Sequence, residues 1–188
     1  MFRYNEVSRA VDRLAWYYSS FEIASKVTLG ELPPQRTIGV FVTSSIDEIL
    51  LELALGRMGL TVLFLSVNNS AAAVAHLIKS VNATHLIYSP KFIEATKDAQ
   101  VLLKGQGVDI KIIEDMRFPL WGQEGVSNNM IQVFPPALTP AQEVNRIAIY
   151  VHSSGSVRIS SSNKRLILAK FQSSRLDTLS LYLSLIMV

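Results

Sequence analysis

Cysteine is absent from the 188 residues, which excludes a disulfide framework, a thiolate metal site and a cysteine nucleophile. Long apolar runs are absent too. No stretch of about 18 uncharged apolar residues occurs, and the longest candidate, Leu179 to Val188, is too short for a membrane span. Arg3, Glu6 and Arg9 interrupt the opening residues before the apolar core of a secretory signal can form. The expectation is a soluble cytoplasmic protein with no membrane association. Charged residues are few, at 18% against 49% hydrophobic, the balance of a globular chain rather than a disordered one. This length supports one substantial domain with its own core.

The net charge of +3 is unevenly placed. Up to Ser156 there are 13 Lys+Arg and 14 Asp+Glu; beyond it there are 5 and 1. The basic isoelectric point of about 9.2 is therefore a property of the tail. A neutral domain with a basic tail argues against a nucleic-acid partner, which would call for a basic face on the domain itself.

The order of apolar patterns predicts an α/β fold, mostly parallel strands with flanking helices. From Tyr4 to Val27, Val7, Ala10, Val11, Leu14, Tyr17, Tyr18, Phe21 and Ala24 form one stripe at helical spacing. Gly30 and Pro33-Pro34 then stop the helix. Thr37 to Val42 is a short, nearly continuous apolar run, as in a strand buried on both faces. Ser45 and its neighbours can cap a helix running to Gly59, with Asp47 and Glu48 in its first turn. The pattern repeats: a strand at Thr61 to Leu65, a helix from Ala71 to Val81, a strand at His85 to Tyr88, a helix from Lys91 to Leu103 and a strand at Ile110 to Ile113. Such alternation predicts a parallel sheet, with ligands beyond the carboxyl ends of its strands. Asp115 to Glu143 is rich in Pro, Gly and Asn and predicts a long irregular connection. Arg146 to Val151 then predicts a strand that delivers the chain to His152.

His152-Ser153-Ser154-Gly155-Ser156 follows that strand at once. Glycine allows close backbone approach, successive amides can point inward, and serine hydroxyls add donors, the make-up of a phosphate-binding loop. Taken alone, Ser153-Ser154-Gly155-Ser156 reads first as an ordinary turn, in which such residues are common. Beyond them the stretches "IGVFVTSSIDEILLELALGRMGLTVLFLSVNNS", "AVAHLIKSVNATHLIYSP" and "IAIYVHSSGS" stand in an order that resembles the adenylate-forming (AMP-binding) superfamily, closest to the adenylation domains of fungal reductases and nonribosomal-peptide-synthetase-like proteins. The resemblance covers roughly residues 4 to 156. It implies part of the large-domain sheet of an enzyme that activates a carboxylic acid with ATP and Mg to give an acyl-adenylate. It also implies a nucleotide-phosphate role for His152, Ser153, Ser154, Gly155 and Ser156.

The family loop reads H-S-S-G-S-T-G-x-P-K, and here Val157 and Arg158 stand where Thr-Gly belongs. Neither suits the positive φ and close approach of a phosphate cradle. The organisation expected is thus residues 1–156 as the truncated N-terminal part of an adenylation domain. Residues 157–188 form a divergent, basic, Ser/Leu-rich tail, read as a product of truncation, frameshift or an unspliced intron, with a genuine insertion or a natural short variant as the alternatives. Three functions stand: an adenylate-forming fragment inactive alone, a standalone α/β nucleotide- or partner-binding module, or a remnant without ligand. Self-association through uncovered apolar faces is expected.

Other candidates read blandly. His76 and His85 have no second ligand at metal spacing. Asp47, Glu48 and Glu52 predict a solvated helix face rather than paired-acid chemistry. Trp16, Tyr17, Tyr18 and Phe21 predict core. No G-x-S-x-G elbow occurs, so no catalytic or metal-binding residue is assigned.

Overall fold

Apolar runs too short to be helices, spaced by amphipathic segments, fold here as the pattern predicts. The computed structural model describes residues 4–24, 34–116, 132–144, 146–151 and 167–169. The elements are α1 (Tyr4–Ser19), β1 (Thr37–Phe41), α2 (Ile46–Arg57), β2 (Thr61–Phe64), α3 (Ala71–Ser80), β3 (His85–Tyr88), α4 (Ile93–Lys104), β4 (Lys111–Glu114), α5 (Pro140–Glu143), β5 (Ile149–Val151) and β6 (Ile167–Ala169). A 3₁₀ turn at Pro90–Phe92 leads into α4. The sheet order is β4-β3-β1-β2-β5-β6. The first five strands are parallel and β6 runs antiparallel to β5.

Parallel sheets need cover on both faces, and two helix pairs supply it. Ile38, Val40 and Val42 point to the face where α1 and α2 pack, joined by Val62, Ile87 and Ile113. Phe41, Leu63, Leu86 and Tyr88 point to the face of α3 and α4. Gly39 sits where α3 comes closest, since a Cβ there would lie 2.5 Å from Ile78 Cδ1 and 3.1 Å from Leu86 Cδ1. β1 is the pivot of this arrangement. The chain leaves it through α2 to β2 on one side, then returns through α3 on the opposite face to β3 on the other.

Three helices end in the same way. Gly59 (φ 73°), Asn82 (φ 51°) and Gly107 (φ 76°) take left-handed backbone. The next residues, Leu60, Ala83 and Val108, donate amides back to Leu55, Ile78 and Leu103 at 2.9–3.0 Å. These paired closures satisfy orphan helix carbonyls and turn an apolar residue inward just before the next strand. Other boundaries shift from expectation. α1 stops at Ser19 rather than Val27, because the amides of Ser20, Phe21 and Glu22 bond three residues back and Glu22 takes φ 58°. Val27 and Gly30 lie outside the described residues. The expected helix from Lys91 begins as the 3₁₀ turn, and the last strand starts at Ile149 rather than Arg146.

The described part of the long connection is a strap. Asp12 on α1, 3% exposed, pairs with Arg57 on α2 at 3.2 Å and accepts the Phe134 amide at 3.1 Å. Arg57 Nε donates to the Phe134 carbonyl at 3.0 Å, and the Ala137 amide donates to the Arg57 carbonyl. Trp16 donates to the Gln132 carbonyl at 2.8 Å and meets Phe134 edge-on. This corrects the reading of the aromatic group as core. Tyr18 is fully buried, whereas Trp16 and Phe21 are 40% and 36% exposed.

Two substitutions test this account by urea unfolding. Asp12→Ala strands Arg57 and the Phe134 amide together and should cost roughly 2–4 kcal/mol; Asp12→Asn, which keeps an acceptor, should cost clearly less. Gly39→Ala pushes on Ile78 and should cost about 1–3 kcal/mol; a loss below a few tenths would show that α3 retreats freely.

Candidate functional site

In a doubly wound sheet the crevice opens where connections diverge, at the carboxyl ends of the strands flanking the switch point. Here that point lies between β1 and β3. After β1, Thr43 donates its amide to Ser89 Oγ at 3.3 Å, and Ser89 in turn donates its amide to the Phe41 carbonyl at 3.1 Å. Ser89, just beyond β3, is 1% exposed, so the two strand ends are held together by a buried hydroxyl. Ser45 caps α2, its Oγ accepting the Asp47 amide at 3.2 Å. Ser44 is exposed beside it.

The charge at this mouth is negative. Asp47 and Glu48 occupy the first turn of α2, where the helix dipole favours them. Burial pushes the Glu48 carboxyl above its ordinary range, against hydrogen bonds from Ser44 and Ser45 that pull it down. Glu52, one turn on, is only 8% exposed and makes no ion pair among the described residues. Burial, followed by the neighbouring Glu48 charge, pushes its pKa up to about 8. The expected solvated acidic face is therefore wrong for Glu52. The sequence Ile-Asp-Glu-Ile-Leu-Leu-Glu-Leu is apolar around most of the helix, so its polar side is too narrow to keep every carboxylate in water.

At the far end of the crevice, Tyr18 donates to Asp115 Oδ1 at 3.2 Å and accepts the Met116 amide at 3.3 Å. Burial first, then the Asp115 charge, raises the Tyr18 phenol well above its ordinary value. On the β2 side Ser70 caps α3, accepting the Ala73 amide at 3.3 Å, and the first turn of α3 carries no acid.

His76 is exposed on α3. His85 lies at the amino end of β3, away from the crevice. Its Nδ1 is 2.9 Å from Thr84 Oγ1, and burial first, then Lys111 and Arg36, lowers its pKa to about 4. It is a neutral packed imidazole. Among the described residues no group of His, Asp and Glu could hold a metal ion, and no helix is long and apolar enough to cross a membrane. His152, Ser153, Ser154, Gly155 and Ser156 lie outside the described residues. β5, which precedes them directly, pairs with β2 and ends at Val151 on the carboxyl edge. Sequence reasoning missed Ser89 and the Tyr18–Asp115 pair; no local pattern marks either, since each joins residues far apart in the chain.

Comparison with solved structures finds one recurring architecture. A long-chain-fatty-acid-CoA ligase from Archaeoglobus fulgidus matches at TM-score 0.58 and 17% identity, over 82% of this chain and 28% of that one. The luciferase-like enzyme of the Zophobas morio mealworm matches at 0.56 and 19%, over 79% and 32%. A benzoate CoA ligase from Burkholderia xenovorans matches at 0.54 and 15%, over 79% and 27%. The likeness is one of fold. The chain spans less than a third of the length of each. Comparison with family models and with curated proteins finds no match.

A pH titration tests the Glu52 assignment. The unfolded carboxyl ionises near its ordinary value while the folded one holds its proton to about pH 8, so stability should fall as pH rises through that window and level off above it. Glu52→Gln should flatten this slope and leave the protein more stable than wild type at pH 8. An unchanged slope would place Glu52 in water.

Proposed function

We propose that this chain is the N-terminal portion of an ATP-dependent, carboxylic-acid-activating enzyme that forms acyl-adenylates, and that it is inactive alone. The observation that carries the reading is the parallel β5, which ends at the carboxyl edge beside β2 and is followed directly in sequence by His152-Ser153-Ser154-Gly155-Ser156. The shared fold with acyl-CoA ligases and a luciferase-like enzyme supports it, as does the order of the stretches between residues 38 and 156. The finer resemblance, to fungal reductase and nonribosomal-peptide-synthetase-like adenylation domains, belongs to the same reading. So do a cytoplasmic location and the division into residues 1–156 and a divergent tail at 157–188.

In this reading His152 to Ser156 are the opening of a loop that positions the β- and γ-phosphates of ATP, work done by orientation and charge stabilisation rather than covalent chemistry. Magnesium and ATP serve the intact enzyme. Among the described residues no cluster could hold the metal, and Asp47 and Glu48 at the switch-point mouth oppose a polyphosphate there.

ATP–pyrophosphate exchange with a panel of carboxylic acids tests the proposed inactivity. No acid-dependent exchange is expected, and any such exchange overturns it. A thermal-shift titration with millimolar ATP should leave the melting temperature unmoved; a shift without exchange would favour the nucleotide-binding module instead. The coding sequence beyond the Ser156 codon tests the ancestry: a second frame reading Thr-Gly-x-Pro-Lys supports it, and its absence from every frame makes the tail genuine.

A further inference from the structure

β4 is an edge of the sheet, with β3 on one side and no strand on the other among the described residues. The Lys111 amide bonds to the Thr84 carbonyl and the Asp115 amide to the Tyr88 carbonyl. Since backbone direction alternates along a strand, Lys111, Ile113 and Asp115 turn their backbone to β3, while Ile110, Ile112 and Glu114 turn theirs outward. The Ile110 carbonyl confirms this sense, because Gln100 reaches round to cap it at 2.9 Å. Among the described residues no strand pairs with the amides and carbonyls of Ile112 and Glu114 on that side. A recess of about 430 Å³ lies at the amino end of β4, lined by Phe21, Gln100, His85 of β3 and residues 109–113.

We infer that this edge pairs antiparallel with β4 of a second copy of the chain. The outward residues restrict the register, because a hydrogen-bonded pair needs outward groups from both strands. Centring on Ile112 sets Lys111 opposite the partner's Ile113 and Ile110 opposite the partner's Glu114, mismatching charge with apolar side chains. Centring on Glu114 sets Ile113 opposite the partner's Asp115. The register that exchanges Ile112 with the partner's Glu114 places Ile113 against the partner's Ile113 and Lys111 against the partner's Asp115. By symmetry the ion pair forms twice, and four backbone hydrogen bonds close between the strands. Asp115 already accepts from Tyr18, and a carboxylate has capacity for a lysine as well. Opposite charges across a strand pair favour this arrangement. The alternative role of Lys111 and Glu114 is to guard the edge against pairing, and the two roles predict different solution states.

The test uses the full 188-residue chain. Wild type should show a concentration-dependent monomer–dimer equilibrium in sedimentation. Glu114→Pro removes an outward amide without touching the β3 ladder, so it should be monomeric with unchanged circular dichroism. The absence of native cysteine gives a second readout that survives if that variant folds poorly. Lys111 and the partner's Asp115 would form a non-hydrogen-bonded pair with Cα atoms about 4.5 Å apart, within disulfide reach. Mixed Lys111→Cys and Asp115→Cys chains should therefore crosslink on mild oxidation, whereas each variant alone should not. A wild-type monomer at every concentration overturns the inference. So does a dimer that persists in folded Glu114→Pro, or a cysteine pair that crosslinks no better mixed than alone.

Discussion

The carboxylate of Asp12 ties together three parts of the chain that nothing local would bring into register. It receives the guanidinium of Arg57 and the amide of Phe134, and Arg57 also holds the Phe134 carbonyl. Its importance comes from topology. β4 and β5 stand four strand spacings apart, roughly 19 Å, so the chain must cross the sheet between them. A crossing chain carries backbone polar groups that need partners. Around Phe134 those partners are Asp12 and Arg57, which serve the amide and the carbonyl of one residue at once. The same pair braces α1 against α2, the cover that the parallel sheet needs on that face. α1 precedes the first strand and has no crossover to hold it in place, so this polar tie supplements the packing of Ala10, Val11, Leu14 and Tyr18.

Charge is handled differently at the two ends of α2. Arg57 near its carboxyl end has a partner and favours the dipole there. Glu52, nearer the middle, is buried beside another carboxylate, Glu48. It avoids the cost of an unpaired buried charge by keeping its proton, the usual response of such groups. One helix thus carries a buried carboxyl without an ion-pair partner among the described residues and, near its end, an arginine paired to Asp12 of α1.

What could be read in the sequence follows the range of the interactions involved. Ser45 and Ser70 mark helix starts because capping acts over two or three residues, and Gly59 marks an end because left-handed backbone suits glycine. Asn82 closes α3 in the same way but has no such unambiguous signature. The strands were legible as apolar runs, although β1 and β2 end a residue early and β4 begins a residue late, since periodicity does not show where a ladder starts. The strap was legible only as an irregular, proline-rich stretch: Asp12 and Phe134 are 122 positions apart. β6, three residues in a serine-rich tail, is shorter than any period can reveal. Of the candidate site, the approach strand and the capping hydroxyls are described, while His152 to Ser156 rest on sequence alone.

The electrostatics of the crevice bear on where a polyphosphate could sit. The general rule for doubly wound sheets points to the switch point between β1 and β3. There the start of α2 is already matched by Asp47 and Glu48. An anion approaching that mouth meets like charge. The β2 side differs, because α3 begins at Ser70 without an acid and β5 runs alongside β2 toward the Ser/Gly stretch. The two sides of the crevice therefore differ in charge. That division follows from the placement of two carboxylates in the first turn of one helix and their absence from the next.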